Sequence, residues 1–321
     1  MTQPLVSFVI PVFNSEQYIA RCLLSIRNLP CPETAYEVLI MDNGSTDRTH
    51  EIMRGLGFPF QVVPGVNVST LRNRGAALAR GEYVAFVDSD VEISPQWLQG
   101  GLDALSDEHM VATGSFLEVP QGATWVQQSW SLHQRSRYLD NTLRQIAWLG
   151  SANLLVRRAD FCAIAGFNEH LETAEDVDLC YRLGQRGSIT HNPVMRAVHW
   201  GEAPDLRTFW RKEVWRGLGN WHGVLSHGWR WDELPSLGYP LYMAGVGIFC
   251  GLGALTDAWQ GHVWLLPWGL LFLSLPAVLL AIRTTRLTRC GKMLPQFFVM
   301  YLTYGLARAY SLSKSNLRKR G

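Results

Sequence analysis

Three stretches in the first third of the chain share one pattern. VSFVIPVFN (residues 6–14), YEVLIMDNGSTD (36–47) and EYVAFVDSD (82–90) run nearly unbroken through Val, Ile, Leu, Met and Phe, then stop at polar residues. Continuous apolar runs of this length suit strands covered on both faces, as in a parallel sheet. Between them the period becomes helical. Ile19, Cys22, Leu23 and Ile26 recur on one face, with Asn14 placed to cap that helix and Gln17 three residues beyond the cap. Ser69 or Thr70 starts a second helix, predicted to close at Gly81, and Ser94 followed by Pro95 starts a third. Alternating strands and helices predict an α/β, doubly wound sheet with right-handed crossovers and a ligand site at the carboxyl ends of its strands. The opening segment MTQPLVSFVIPVFN has no basic start and only about eight consecutive apolar residues, so it reads as a first strand rather than a signal peptide.

The last third is patterned differently. Residues 234–256 and 258–282 contain no Asp, Glu, Lys or Arg. At 1.5 Å per residue each run exceeds the roughly 30 Å of a bilayer's hydrocarbon layer, which predicts two antiparallel spans joined by a short linker. Arg207, Arg211, Lys212 and Arg216 precede the first span and Arg283, Arg286, Arg289 and Lys292 follow the second, so the N-terminal region is expected on the cytoplasmic side of a plasma (inner) membrane. Residues 293–312 are apolar over too short a run to span and end in a basic tail; they predict an interfacial or re-entrant helix. Within residues 205–223, Trp210, Val214, Leu218 and Trp221 form one stripe, the profile of a helix lying in the headgroup layer. Its cations Arg211, Lys212 and Arg216 then face anionic lipid or reach toward a diphosphate. The expected division is a catalytic-type domain over 1–225 and a membrane region over 234–321.

Composition narrows the chemistry. A net charge of +2 on 321 residues gives no basis for a nucleic-acid partner. The six cysteines are scattered, without a CxxC pair or a histidine cluster, so neither a zinc site nor a disulfide framework is indicated. The GxGxxG and GxxxxGK[ST] phosphate loops are absent. What remains at the predicted strand ends is acid: Asp88, Asp90 and Glu92 lie within five residues. Such carboxylates cap a helix or sit solvated, or else a divalent cation shared with a diphosphate neutralises them. Glu175 and Asp176 pose the same choice, because acids in the first turn of a helix are favoured by its dipole whatever else they do.

The motifs PVFN, DNGSTD, LRNRG, DSD, GFNE and AEDVDL occur in that order, and over roughly residues 5–225 the chain resembles the family 2 glycosyltransferases of the GT-A fold. The resemblance implies a mixed, Rossmann-like sheet, with Pro11, Phe13 and Asp42 around the nucleotide and Arg72 approaching it. Asn43 stands where the family's DDGSTD motif has its second acid. It implies Asp90 as the main metal ligand, Asp88 beside it near metal or ribose, and His199 near the metal or diphosphate, the metal being Mn2+ or Mg2+. Asp176 becomes the base that deprotonates the acceptor hydroxyl, with Glu175 and Asp178 tuning it or positioning the acceptor, and residues 148–158 form an acceptor-side wall. The implied activity is inverting transfer from a nucleotide-diphosphate sugar to a hydroxyl, and a lipid-linked glycan or polysaccharide acceptor is compatible with the anchor. The rival reading, a noncatalytic membrane scaffold subunit of a polysaccharide assembly complex, is disfavoured by the joint presence of Asp88, Asp90, Glu175 and Asp176. A transporter is disfavoured by the small number of spans.

Overall fold

The structure, a computed structural model, describes residues 3–136, 138, 142–218, 234–260 and 265–315. It forms two compact units, Met1–Gln121 with Asp140–Glu202, and Gly122–Leu139 with Ala203–Gly321. The boundary therefore differs from the one expected at 225: residues 122–139 and 203–218 belong with the C-terminal helices. Sequence pattern misses this because it ranks neighbours along the chain, whereas helix packing joins segments far apart.

Among the described residues of the first unit, eight strands form one sheet. They are β1 (Val6–Val12), β2 (Tyr36–Asp42), β3 (Phe60–Val62), β4 (Tyr83–Val87), β6 (Met110–Gly114), β7 (Arg144–Gln145), β8 (Asn153–Arg157) and β9 (Ser188–His191), in the order β3-β2-β1-β4-β8-β6-β9-β7. The first four are parallel, and β8 runs antiparallel to both β4 and β6. The chain direction switches sides of β1 between β2 and β4, the arrangement that opens a crevice at the carboxyl edge. A second, two-stranded sheet pairs β5 (Val91–Ile93) with β10 (Ala197–His199).

Helices α1 (Ile19–Arg27), α2 (Thr49–Gly55), α3 (Val68–Leu78), α4 (Trp97–Leu105), α6 (Arg158–Ala163) and α7 (Glu175–Gly184) accompany the sheet. One apolar cluster contains Phe8, Ile10 and Ala85 with Ile19, Cys22, Leu23, Ile26 and Trp97; another contains Val9, Val84 and Phe86 with Phe161, Leu179 and Leu183. Burial on both faces is the reason these strands read as unbroken apolar runs.

The helix starts differ from expectation. Asn14 does not cap α1: it sits at φ +47° and its Oδ1 accepts from Thr46 N at 2.9 Å, tying the end of β1 to the loop after β2. The helix begins only at Ile19, beyond a turn in which Ile19 N donates to Ser15 O. Helix α3 is capped by Asn67, whose side chain accepts from Thr70 N, and it ends at Leu78 rather than Gly81. Gly81 serves a close crossing over β1, since a Cβ there would lie 2.7 Å from Ser7 N. Helix α4 starts at Trp97, after a turn closed by Trp97 N on Ser94 O.

Among its described residues the second unit contains α5 (Trp125–Arg135), α8 (Leu206–Leu218), α9 (Leu234–Gln260), α10 (Leu265–Thr288) and α11 (Leu294–Ser315). Residues Gly238–Asp257 and Pro267–Thr288 are long and apolar enough to cross a membrane. Helix α11 is continuous over 22 residues, with Phe297, Met300, Tyr301 and Ala307 enclosed by its neighbours. On α8 the buried positions are Phe209, Glu213 and Gly217, one residue before the expected stripe; Trp210 packs on Tyr310 and Trp221 lies outside the described residues. The offset arises because Glu213 counts as polar in any pattern, yet it is fully buried between Arg216 (2.5 Å) and Arg308 (2.9 Å). Arg216, which also lies over the Trp130 ring, is thus engaged inside the unit. Glu213→Gln is expected to destabilise the unit by about 2 kcal/mol, since the amide keeps one acceptor oxygen for two arginines and no longer carries a charge to compensate theirs. Thermal unfolding in detergent checks this.

Candidate functional site

The carboxyl edge of the sheet gathers the loops after β1, β2 and β4 with the segment entering β8. Asp88 follows β4 directly; its N–H donates to Ala152 O at 3.3 Å and its carbonyl accepts from Val91 N at 3.0 Å, so the DSD turn is held on both sides. Cys22 Sγ lies 3.5 Å from Asp88 O, its thiol pushed up by burial and by the charges of Asp90 and Asp88.

Arg72 organises this edge. From α3 its Nη2 donates to Asp88 Oδ1 at 2.7 Å and its Nη1 to Glu175 Oε1 at 3.0 Å. It is only 3% exposed, and its Nε has no hydrogen-bond partner among the described residues. Burial alone would favour the neutral form, but the two carboxylates outweigh it and raise the Arg72 pKa further. Acids from separate parts of the chain, one after β4 and one opening α7, are thereby fixed on a single guanidinium.

Asp176 is next to Glu175 in the first turn of α7, whose N-cap Ala174 adopts φ +63°. Its Oδ1 accepts from Val177 N at 2.8 Å. A Cβ on Gly150, in the segment before β8, would lie 3.9 Å from Asp176 Oδ2. Burial, reinforced by the charge of Glu175, pushes the Asp176 carboxyl up to about 7. A carboxylate poised there accepts a proton near neutral pH, as general-base chemistry requires. Asp178 is turned elsewhere: it pairs with Arg182, which also donates to the carbonyls of Ile164 and Gly166.

Asp90 and His199 meet at 3.1 Å, and His199 Nδ1 lies 3.3 Å from Glu202 Oε2. Burial lowers the imidazole's pKa, but Asp90 and Glu202 override it and push it up to about 10. Gly201 packs directly on the Asp90 carboxylate where a Cβ would not fit. Trp200 N donates to Asp90 O, its indole N–H donates to Glu92, and Arg21 lies 3.6 Å above its ring. Among the described residues no group of three or more His, Cys, Asp or Glu is placed to hold a metal ion. In this arrangement Asp88 is held by Arg72 and His199 carries a proton between Asp90 and Glu202, so ligation of a cation by His199 requires loss of that proton.

The remaining expected residues fall at different places. Asp42 ends β2 fully buried, accepting from Gly44 N, Ser45 N, Ser45 Oγ and His50 Nε2. Burial would raise its pKa, but these hydrogen bonds hold it below the usual carboxylate range. Both of its oxygens thus serve the loop after β2. Asn43 is bound both ways to Val66, which fixes that loop to the approach of α3. Pro11 is buried in β1, whereas Phe13 projects 58% exposed beyond it. Arg211, Lys212 and Arg216 lie on α8 in the second unit. Sequence reasoning did not single out Glu202, Trp200 or Gly201, whose only local signal was adjacency to His199; Gly150 lies within residues 148–158, the expected acceptor-side wall.

Residues 7–162 match the family model described as Glycosyl transferase family 2. The chain is 30% identical over 199 residues to glycosyltransferase AglE of Haloferax volcanii, covering 58% of this chain and 63% of that protein. It is 29% identical over 243 residues to validoxylamine A glucosyltransferase of Streptomyces hygroscopicus subsp. limoneus, covering 64% and 53%. The chain thus spans less than two thirds of the length of these relatives. Among solved structures, the mannosyltransferase PcManGT of Pyrobaculum calidifontis, in complex with GDP-Man and Mn2+, aligns with a TM-score of 0.62 at 17% identity over 100% of this chain and 89% of that one. TarS 1–349 of S. aureus, in complex with UDP, aligns with a TM-score of 0.52 at 18% identity over 98% and 92%. At these identities the structural likeness is one of fold.

Proposed function

We propose that the chain, whose residues 7–162 match the family 2 model and whose fold aligns with that of PcManGT, is a GT-A glycosyltransferase that transfers a sugar from a nucleotide-diphosphate sugar to a hydroxyl acceptor, with inversion, at the cytoplasmic face of a membrane anchored by α9 and α10. The observation that carries this reading is the convergence of Asp88 and Glu175 on Arg72, with Asp176 beside them at a raised pKa. In the proposed step Asp176 takes the acceptor proton while the acceptor oxygen bonds to the anomeric carbon; the bond to the diphosphate breaks and its electron pair leaves with the diphosphate. Exposed Phe13 offers a flat apolar surface for a base, and Asp42 acts through the loop it holds rather than by direct contact. Asp90 and Asp88, with His199 once it has lost its proton, would hold Mn2+ or Mg2+, which would supply positive charge beside the departing diphosphate. PcManGT carrying GDP-Man and Mn2+, and TarS carrying UDP, support a nucleotide-sugar donor and a divalent ion. The apolar helices support a membrane setting and make a lipid-linked glycan or polysaccharide a fitting acceptor.

The test is a screen of nucleotide sugars for thermal stabilisation of the purified protein, with and without Mn2+ or Mg2+. A matching donor at a hundred times its dissociation constant is expected to stabilise by about 2.7 kcal/mol, and only when the ion is present. No stabilisation by any nucleotide sugar with either ion would overturn the reading.

A further inference from the structure

The segment of residues 166–174, which delivers the chain into Glu175 and Asp176, is fastened to α3 by side chains that the proposed reaction does not use. Asn73 grips the backbone of Phe167 in both directions, its Nδ2 donating to Phe167 O and its Oδ1 accepting from Phe167 N, each at 2.9 Å. The same Nδ2 donates to Glu169 Oε1 at 2.8 Å, and Thr70 Oγ1 donates to Glu169 Oε2 at 2.8 Å. Asn67 Nδ2 adds a bond to Glu169 O at 2.6 Å. These bonds hold the Glu169 carboxyl below its usual range. Residues 67, 70 and 73 recur every three positions, so the cap and one face of α3 together hold residues 167 and 169.

Two residues of the segment lie at positive φ. Gly166 lies at φ +70°, and a Cβ there would sit 2.5 Å from Asn73 Oδ1, so the grip on Phe167 requires glycine. Ala174 is held at φ +63°, a conformation that alanine avoids unless surrounding contacts impose it. Arg72, next to Asn73 on α3, points to Glu175 at the far end of the same segment.

We propose that Asn73 and Glu169 form a clip that sets the acidic first turn of α7 against α3 for the transfer step, making both of them positioning residues. This rests on the reading of Asp176 as the base. The clip acts through the backbone: it fixes where α7 begins, and with it the place from which Asp176 meets an acceptor hydroxyl.

The experiment compares the full-length protein in detergent with Glu169→Ala, Asn73→Ala, the double variant and Glu169→Gln. Each single alanine variant is expected to lower kcat about tenfold with the donor KM within about twofold of the original, because the base is misplaced while the donor side is not. The double variant is expected to lose little more than either single one, as for two halves of one device. Glu169→Gln is expected to recover most of the kcat lost by Glu169→Ala, since an amide can accept from Asn73 and donate to Thr70. Amide hydrogen exchange should quicken over residues 167–176 in Glu169→Ala and stay unchanged in β1 and β4. Unaltered exchange in that segment, an undiminished kcat in Glu169→Ala, or a Gln variant no better than the Ala one overturns the clip. Normal transfer by Asp176→Asn would instead remove the base assignment and leave the exchange result standing, so the two failures are distinguishable.

Discussion

Asp176→Asn is expected to lower the transfer rate by about 10²- to 10⁴-fold, the range over which a positioned base contributes, while donor and metal binding stay within about twofold. Asparagine keeps the size of the side chain and the acceptor for Val177 N, so the fold of the turn survives and only the proton acceptor is lost. Two pH effects accompany the change. The rate of the unmodified protein should rise with pH and level off above about 7, where Asp176 is ionised. Stability should move the other way: an aspartate with an ordinary value of 3.8 and a folded value near 7 keeps its proton in the fold after the unfolded chain has lost it. Its contribution to stability therefore falls as pH climbs between those values. Asparagine removes that slope, so the variant should gain stability relative to the original protein at pH 8 and not at pH 4. A variant that transfers normally, or that shows the same pH dependence of unfolding, contradicts the assignment.

The second large effect is expected at Arg72. Arg72→Met removes the guanidinium that Asp88 and Glu175 share, leaving two carboxylates and Asp176 around an apolar side chain. Breaking a buried pair costs about 3 to 5 kcal/mol, and the lower end applies because Asp88 keeps 31% of its side chain exposed. Transfer should fall by at least about a hundredfold, since the charge that helps to lower Asp176 is lost as well. Arg72→Lys should restore little of either property: one ammonium cannot fork to two acids from different elements at 2.7 and 3.0 Å. Denaturant unfolding and a single-turnover transfer assay read the two effects separately.

Tertiary structure and sequence pattern overlap unevenly. The strand ends where the sequence placed its acids are the ends that line the sheet's carboxyl edge, because continuous apolar runs and the polar residues that stop them are local properties. Cys22, Leu23 and Ile26 pack as their spacing foretold, since helical period and burial follow one from the other. Asn14, by contrast, has the composition of a cap and serves a turn, because a bond to Thr46, 32 residues away, competes for the same side chain. Glu213 reads as a solvent residue and is buried, because Arg308, 95 residues further on, neutralises it.

The sequence by itself determined three of the strands, β1, β2 and β4, the two long apolar helices, the acidic pairs and their resemblance to a glycosyltransferase site. All of these are written in stretches of a few residues, where backbone geometry and solvation act locally. Tertiary structure decided the antiparallel insertion of β8 between β4 and β6, the grouping of residues 122–139 with the C-terminal helices, the bridging by Arg72 and the fastening of residues 166–169 to α3. Each depends on partners tens of residues apart, whose bonds form only once the surrounding core has closed and excluded the water that would otherwise compete for them.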